Sequence, residues 1–234
     1  MSVISIIPAA GMGIRMGGGT PKQFLSLEGV PIFVHTLRKF VCSGAIDEIF
    51  LGVRPEDMER AFREIDREQF AKTVRLVPGG ATRQETVARC LTEAPPTTEV
   101  VVIHDAVRPF IELEMISRVV ETARKTGAAI LGIPSIDTVK QVERQIILGT
   151  IPRERIVLAQ TPQAFRYTLL RAAIDRALAE GFNGTDESSL VERQGQNVTV
   201  LMGSDRNIKI TKPSDLPLAR LYIAQEREHI QSDV

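Results

Sequence analysis

Cysteine is nearly absent from this sequence: Cys42 and Cys90 are the only two in 234 residues, and they are far apart with no CxxC spacing. That argues against a disulfide framework or a thiolate metal centre. Both lie in stretches of helical pattern, where buried free thiols are expected. An excess of charge of one sign is also absent. Lys and Arg number 29, as do Asp and Glu, so the chain lacks the basic field that duplex nucleic acid demands. Any anion must therefore be held locally, by a few placed cations. No apolar run reaches the roughly 18 residues of a membrane-spanning helix. The N-terminus has neither a basic n-region nor a long apolar h-region, so a cytoplasmic location and no membrane partner are expected. The remaining composition is that of an ordinary globular protein, 43% hydrophobic and 25% charged, enough for a sizeable core.

The most informative stretch is PAAGMGIRMGGGTPK, residues 8 to 22, in which five glycines accompany Arg15 and Lys22 directly after an apolar run. Glycine admits positive φ and lets backbone N–H groups approach a ligand without a Cβ in the way. With two fixed cations added, the loop suits an anion, most naturally a polyphosphate. A flexible connector would account for the glycines but for neither the cations nor the preceding strand.

Strand and helix patterns alternate around this loop. VISII (3 to 7) reads as a buried strand, and Phe33, Leu37, Phe40 and Val41 recur at helical spacing up to Gly44. IDEIFLGV, VRLV and VVVIHD are further strands, the last almost continuously apolar, as an interior parallel strand would be. Leu113, Ile116, Val119, Val120 and Ala123 form a helical stripe. Further helices are expected over Tyr167–Glu180 and Thr185–Gln194 and after Pro213, with a last strand at VTVLMG. This alternation predicts an α/β three-layer sandwich with a mostly parallel, Rossmann-like sheet. Its ligand site should lie beyond the carboxyl ends of the strands, where the loops after Ile7, Val77 and Ile103 meet. The pattern breaks at about 135–164, where DTVKQVE and ERIVLAQ read as strands joined by QIILGTIPR without a helix. A protruding β-hairpin arm is expected there, on a single domain spanning 1–234.

Gly11, Gly13 and Gly17 match a dinucleotide-binding fingerprint poorly, because GGGTPK prolongs the loop and the second strand ends at Val53–Arg54 with no acid. A Walker-type loop would need Gly-Lys followed by Ser or Thr, which is also missing. What remains is a long loop surrounding a nucleoside triphosphate. PAAGMGIRM with PKQFL, GGATRQETV (79 to 87), HDAVRP (104 to 109), DTVK (137 to 140), TPQAF (161 to 165), TDES (185 to 188) and NIKIT (207 to 211) then form an ordered set. In order and spacing, from residue 3 to about 223, this set resembles the 2-C-methyl-D-erythritol 4-phosphate cytidylyltransferase family of the non-mevalonate isoprenoid pathway. One departure is visible. Glu85-Thr86 stands where the family often has Asp-Ser, and Thr86 keeps the hydroxyl.

The resemblance implies a nucleotidyltransferase that moves the cytidylyl group of CTP onto a polyol phosphate and releases pyrophosphate. An anionic phosphate is the attacking group, so no Ser–His–Asp apparatus is needed, and catalysis rests on positioning and charge neutralisation. By resemblance, Arg15, Lys22, Asp105 and Lys209 are the catalytic group, and Pro8, Ala9, Ala10, Gly11, Gly80 and Thr86 form the cytosine and ribose pocket. Thr138, Arg153, Thr161 and Thr185 would hold the acceptor. Mg²⁺ would be carried mainly by the CTP phosphates, with Asp105 the one candidate protein ligand. From the residues themselves, Arg108 reads as a loop anchor, His104 as a satisfied strand-end histidine, and Arg83 as either a loop-packing or a pocket residue. Asp186 and Glu187 read as first-turn helix acids with no functional role. A sister cytidylyltransferase using ribitol 5-phosphate stays open as an alternative, as does a nucleotide-binding regulator without turnover. An arm of this kind leaves unpaired strand edges, and a homodimer paired through the arms would cover them.

Overall fold

The computed structural model describes residues 1–12 and 20–232, with the side chains of the last helix described as far as Glu228. The chain opens on β1 (Ser2–Ala9), whose Val3, Ile7 and Ala9 enter one apolar core while Ile4 and Ile6 enter another. A strand buried on both faces has no polar side to show, hence its almost wholly apolar sequence, in which Ser5 is the one buried polar residue. A short antiparallel pair, β2 (Ser26–Leu27) and β3 (Val30–Pro31), leads into α1 (Ile32–Cys42). Next come β4 (Glu48–Val53), α2 (Met58–Glu68), β5 (Val74–Pro78), α3 (Arg83–Thr92), β6 (Thr98–Ile103), α4 (Leu113–Thr126) and β7 (Ala128–Pro134). The excursion β8 (Val139–Glu143) and β9 (Ile146–Ile151) follows, then β10 (Val157–Arg166), α5 (Tyr167–Ala179), α6 (Glu187–Glu192), β11 (Thr199–Met202) and α7 (Asp215–Ser232).

Seven of these strands form one sheet in the order β11-β7-β10-β6-β1-β4-β5. Only β10 runs against its neighbours, between β6 and β7; the pairs β1–β4, β1–β6, β4–β5 and β7–β11 are parallel. Phe33, Leu37 and Phe40 of α1 and Ile116, Val119 and Val120 of α4 pack one face. Val87 and Leu91 of α3, Leu170 and Ile174 of α5, and Leu190 of α6 pack the other. This is the expected three-layer, mostly parallel α/β arrangement. The chain proceeds outward from β1 in both directions, so the crevice beyond β1 is the topological switch point of the sheet.

Two expectations are corrected. ERIVLAQ is not the return strand of the arm, because Val157–Arg166 lies inside the main sheet. The return strand is instead Ile146–Ile151, within the stretch read as a connector. The turn between β8 and β9 escaped notice because it is made by Arg144 and Gln145, at φ 44° and 70°, where glycine or asparagine is the usual signal. The second correction concerns the thiols. Cys90 is buried, and burial pushes its thiol up to about 12, but Cys42 is exposed.

Candidate active site

The cleft at the switch point is lined by Pro8, Ala9, Ala10 and Gly11 from the end of β1, by Lys22 and Gln23, and by Gly80–Arg83 and Thr86 at the start of α3. Asp105, Ala106 and Val107 after β6, with Lys209, complete it. Lys22 begins a 3-10 turn, Lys22–Phe24, whose Phe24 packs edge-on to Phe33 of α1 at 5.1 Å. The turn therefore rests on the core. Gln23 beside it is buried, and its Nε2 donates to the carbonyls of Ala9 (2.5 Å) and Gly11 (3.1 Å). Ala9 is the last residue of the β1 ladder and Gly11 lies just past it; Gln23 supplies a donor to both carbonyls and fixes the mouth of the glycine loop. Arg15, with the rest of residues 13–19, lies outside the described residues.

The opposite wall is built by close approach. A Cβ on Gly79 would stand 2.6 Å from the Ala10 Cβ, and one on Gly80 would stand 2.4 Å from the Glu85 Cβ. Thr82 caps α3 by accepting the Glu85 N–H at 3.0 Å, and Glu85 accepts the Ala81 N–H at 2.9 Å. This is a capping-box variant that spends the Glu85 carboxylate on the loop. The Thr86 hydroxyl accepts the Gly80 N–H at 3.1 Å and donates to the Thr82 carbonyl at 2.9 Å. Its proton is thus committed to shaping the wall.

Asp105 is the hub of the charged floor. Its carboxylate takes the Lys209 Nζ at 2.8 Å and the Nε groups of Arg83 and Arg108 at 3.3 Å each. Burial by itself would raise this carboxyl, but Arg83, Lys209 and Arg108 outweigh it and hold it well below the usual carboxylate range. From beneath, the Asp105 N–H donates to the Thr161 hydroxyl at 3.0 Å. The buried His104 has Nε2 against the Arg108 carbonyl at 3.0 Å and Nδ1 against the Thr161 hydroxyl at 3.1 Å. A carbonyl can only accept, so Nε2 carries the proton and Thr161 donates to Nδ1. Burial keeps this imidazole neutral, pushed down to about 4. Arg108 also donates to the Asn207 carbonyl at 2.7 Å, and Asn207 donates to the Thr161 carbonyl at 2.8 Å. The segment carrying Lys209 is thereby tied to the loop of Asp105, with Ile210 buried next to Val107.

Lys22, Asp105, Lys209, Pro8, Ala9, Ala10, Gly11, Gly80 and Thr86 therefore line one cleft. Arg83 serves both the pocket wall and loop packing, and Arg108 is the anchor it was read to be. Thr161 is buried under Asp105, while Thr138, Arg153 and Thr185 are exposed and do not line the cleft. Arg153 donates to the Ile136 carbonyl at 2.9 Å, at the base of the arm. Two residues went unread. Gln23, within PKQFL, carries no sequence signal for its role. Glu187, taken as a first-turn acid, is fully buried and accepts Arg83 Nη1 on both oxygens at 2.6 and 2.7 Å. Asp186 is not in the first turn of α6 but caps it, accepting the Ser189 N–H at 3.0 Å.

Among the described charged residues lining the cleft, Lys22, Arg83 and Lys209 face the single carboxylate of Asp105, a local positive excess in a neutral chain. A glycine-walled, cation-lined cleft at the switch point of a parallel sheet defines the chain as a nucleotidyltransferase. The family model described as IspD, 2-C-methyl-D-erythritol 4-phosphate cytidylyltransferase, matches residues 3–225, and the chain belongs to that family. It is 51% identical to the 2-C-methyl-D-erythritol 4-phosphate cytidylyltransferase of Acidobacterium capsulatum, over 96% of this chain and 98% of that one. Identity to the protein of the same name from Solibacter usitatus is 50%, over 97% of each. The crystal structure of 4-diphosphocytidyl-2C-methyl-D-erythritol synthase from Anaerococcus prevotii superposes with a TM-score of 0.86 at 31% identity, covering 95% of this chain and 96% of that one.

Proposed function

We propose that this chain transfers the cytidylyl group of CTP to the phosphate of 2-C-methyl-D-erythritol 4-phosphate, giving 4-diphosphocytidyl-2-C-methyl-D-erythritol and pyrophosphate. The observation that carries the reading is the convergence of Lys22, Asp105 and Lys209 on the mouth of the glycine loop. Family membership names the substrates, and ribitol 5-phosphate, the other acceptor weighed, is not favoured by relatives at 51% identity that carry the methylerythritol name.

An acceptor phosphate oxygen attacks the α-phosphorus of CTP; that P–O bond forms as the bond from the α-phosphorus to the α,β-bridging oxygen breaks, and this oxygen leaves as a terminal oxygen of pyrophosphate. Both reactants are anions, so the barrier is largely repulsion and charge build-up, which pre-placed cations relieve. Lys22 would act on the triphosphate side, with Arg15, and Lys209 on the acceptor side, its ammonium oriented by Asp105. The narrow gap between Ala9–Gly11 and Gly80–Thr86 would hold cytosine through backbone groups and leave a purine no room. We read magnesium as arriving with the nucleotide. Among the described residues no cluster of three or more His, Cys, Asp or Glu side chains could hold a metal ion, and the carboxylate of Asp105 is already shared by three cations. Asp105 therefore suits hydroxyls of ribose or polyol better than a divalent ion.

We further propose a cytoplasmic homodimer joined through the arms, in which Arg153 reaches the partner's acceptor site. Ile136, Ile146, Ile147 and Leu148 are 84%, 67%, 59% and 56% exposed, a patch that pairing would cover. Pyrophosphate release from CTP that depends on added 2-C-methyl-D-erythritol 4-phosphate tests the catalytic reading.

A further inference from the structure

Glu187 is the most deeply buried carboxylate of the charged floor, with its side chain 2% exposed, yet it does not line the cleft. A buried carboxylate needs a partner to offset its desolvation, and among the described residues this one is paired with a single cation, Arg83. Arg83 Nη1 meets both Glu187 oxygens while its Nε reaches Asp105 at 3.3 Å. The guanidinium is thus shared between two carboxylates, strongly by Glu187 and loosely by Asp105. Lys209 holds the more intimate contact with Asp105, at 2.8 Å. Removing the pull of Glu187 would free Arg83 to close on Asp105 as a bidentate partner, which is the preferred geometry for Arg and carboxylate. Lys209 would then lose its counter-ion.

We infer that Glu187 is a positioning residue of the transferase, holding Arg83 off Asp105 so that Asp105 stays paired with Lys209. The inference rests on the cytidylyl-transfer reading above. Placement in the chain gives the device a second consequence. Glu187 opens α6 directly after Asp186 and Thr185, the threonine that the family resemblance gives to the acceptor. Asp186 locks that segment to β10, accepting Gln163 Nε2 at 2.7 Å. Arg83 opens α3 on the nucleotide wall. The Arg83–Glu187 pair therefore ties the acceptor side to the nucleotide side across 104 residues of chain.

Steady-state pyrophosphate release with both substrates varied tests this in wild type, Glu187→Gln, Arg83→Gln and the double variant. Glutamine keeps the shape and one acceptor oxygen but not the charge. Glu187→Gln should lower kcat about tenfold or more, as a small misplacement of a charged group does, with KM for CTP changed less than about threefold because the base wall is intact. Since Glu187 acts only through Arg83, adding Glu187→Gln to Arg83→Gln should cost nothing more; such non-additivity is the mark of a coupled pair. The double variant also removes both buried charges together, which folds more readily than either half alone. Independent, multiplying losses in the double variant, or an unchanged kcat in Glu187→Gln, would overturn the inference. Wild-type protein inactive with CTP and 2-C-methyl-D-erythritol 4-phosphate would instead overturn the reading on which it rests.

Discussion

Gln23 stands one residue after the loop lysine and turns inward, giving one amide hydrogen bond to Ala9 at 2.5 Å and one to Gly11 at 3.1 Å. The carbonyl groups at the end of β1 are thus satisfied by a side chain rather than by a ligand. Replacing Gln23 by Leu preserves bulk but orphans two carbonyls, each costing about 1–3 kcal/mol if left buried and unpaired. Expected outcomes are a lower urea midpoint and a rise of about tenfold or more in KM for CTP, following from a loosened loop mouth. Unchanged values of both would show that the loop holds itself.

Lys22 lies at the cleft on a 3-10 turn seated by Phe24 on the core. Lys22→Ala should therefore fold normally and lose about 100-fold or more in kcat, the scale for removing one preorganised charge from a transition state. The same loss is expected for Arg15→Ala. Circular dichroism with pyrophosphate release checks both, and near-normal turnover in a folded variant would remove that cation from the mechanism.

The central strands were legible because burial on both faces leaves a simple trace: VISII and VVVI carry almost no polar residue. Gly80 entered the nucleotide wall only through the family resemblance, and its physical reason lies in the fold, where a Cβ on Gly79 or Gly80 would collide with Ala10 or Glu85. The β8–β9 turn was not legible, because Arg144 and Gln145 occupy positive-φ positions without the residues that normally announce them. Glu187 was illegible on other grounds. A carboxylate in a first helical turn is explained locally by the helix dipole, and only the fold brings Arg83 to it. Thr161 belongs with Glu187: its hydroxyl bridges the Asp105 N–H and His104 Nδ1, a supporting position that no spacing shows.

His104 makes stability depend on pH. Burial pushes its imidazole down to about 4, against about 6.5 in an unfolded chain. Between those values the unfolded state binds a proton that the native state refuses. Its stabilising contribution is therefore complete above pH 6.5 and shrinks as pH falls toward 4. The gap amounts to about 3 kcal/mol. Asp105, whose carboxyl is held low, adds stability above about pH 3.9 and loses it only on further acidification. Urea unfolding at pH 7 and pH 4.5 should show a steeper loss in wild type than in His104→Asn, which cannot titrate. Equal losses would mean that His104 is protonated in the native state or that other groups dominate.

The dimer proposal can be counted. Lys22→Ala and Arg153→Ala chains, unfolded and refolded as an equal mixture, should form mixed dimers as about half of all dimers. If Arg153 serves the partner's site, each mixed dimer has one intact site, and activity returns to about a quarter of wild type. With each parent variant inactive alone, an inactive mixture, with mixed dimers confirmed by mass, would place Arg153 in its own subunit's site.

The central claim is cytidylyl transfer in the Lys22–Asp105–Lys209 cleft. Its most direct measurement is pyrophosphate release from CTP, ATP and GTP, each with 2-C-methyl-D-erythritol 4-phosphate, with ribitol 5-phosphate or with no acceptor, at equal magnesium. The account predicts release with CTP and the methylerythritol phosphate, abolished by Lys209→Ala, and little with either purine nucleotide or with ribitol phosphate. Comparable release from a purine triphosphate would contradict the pocket between Ala9–Gly11 and Gly80–Thr86. Release with CTP that needs no acceptor, or that survives loss of Lys209, would contradict the account itself.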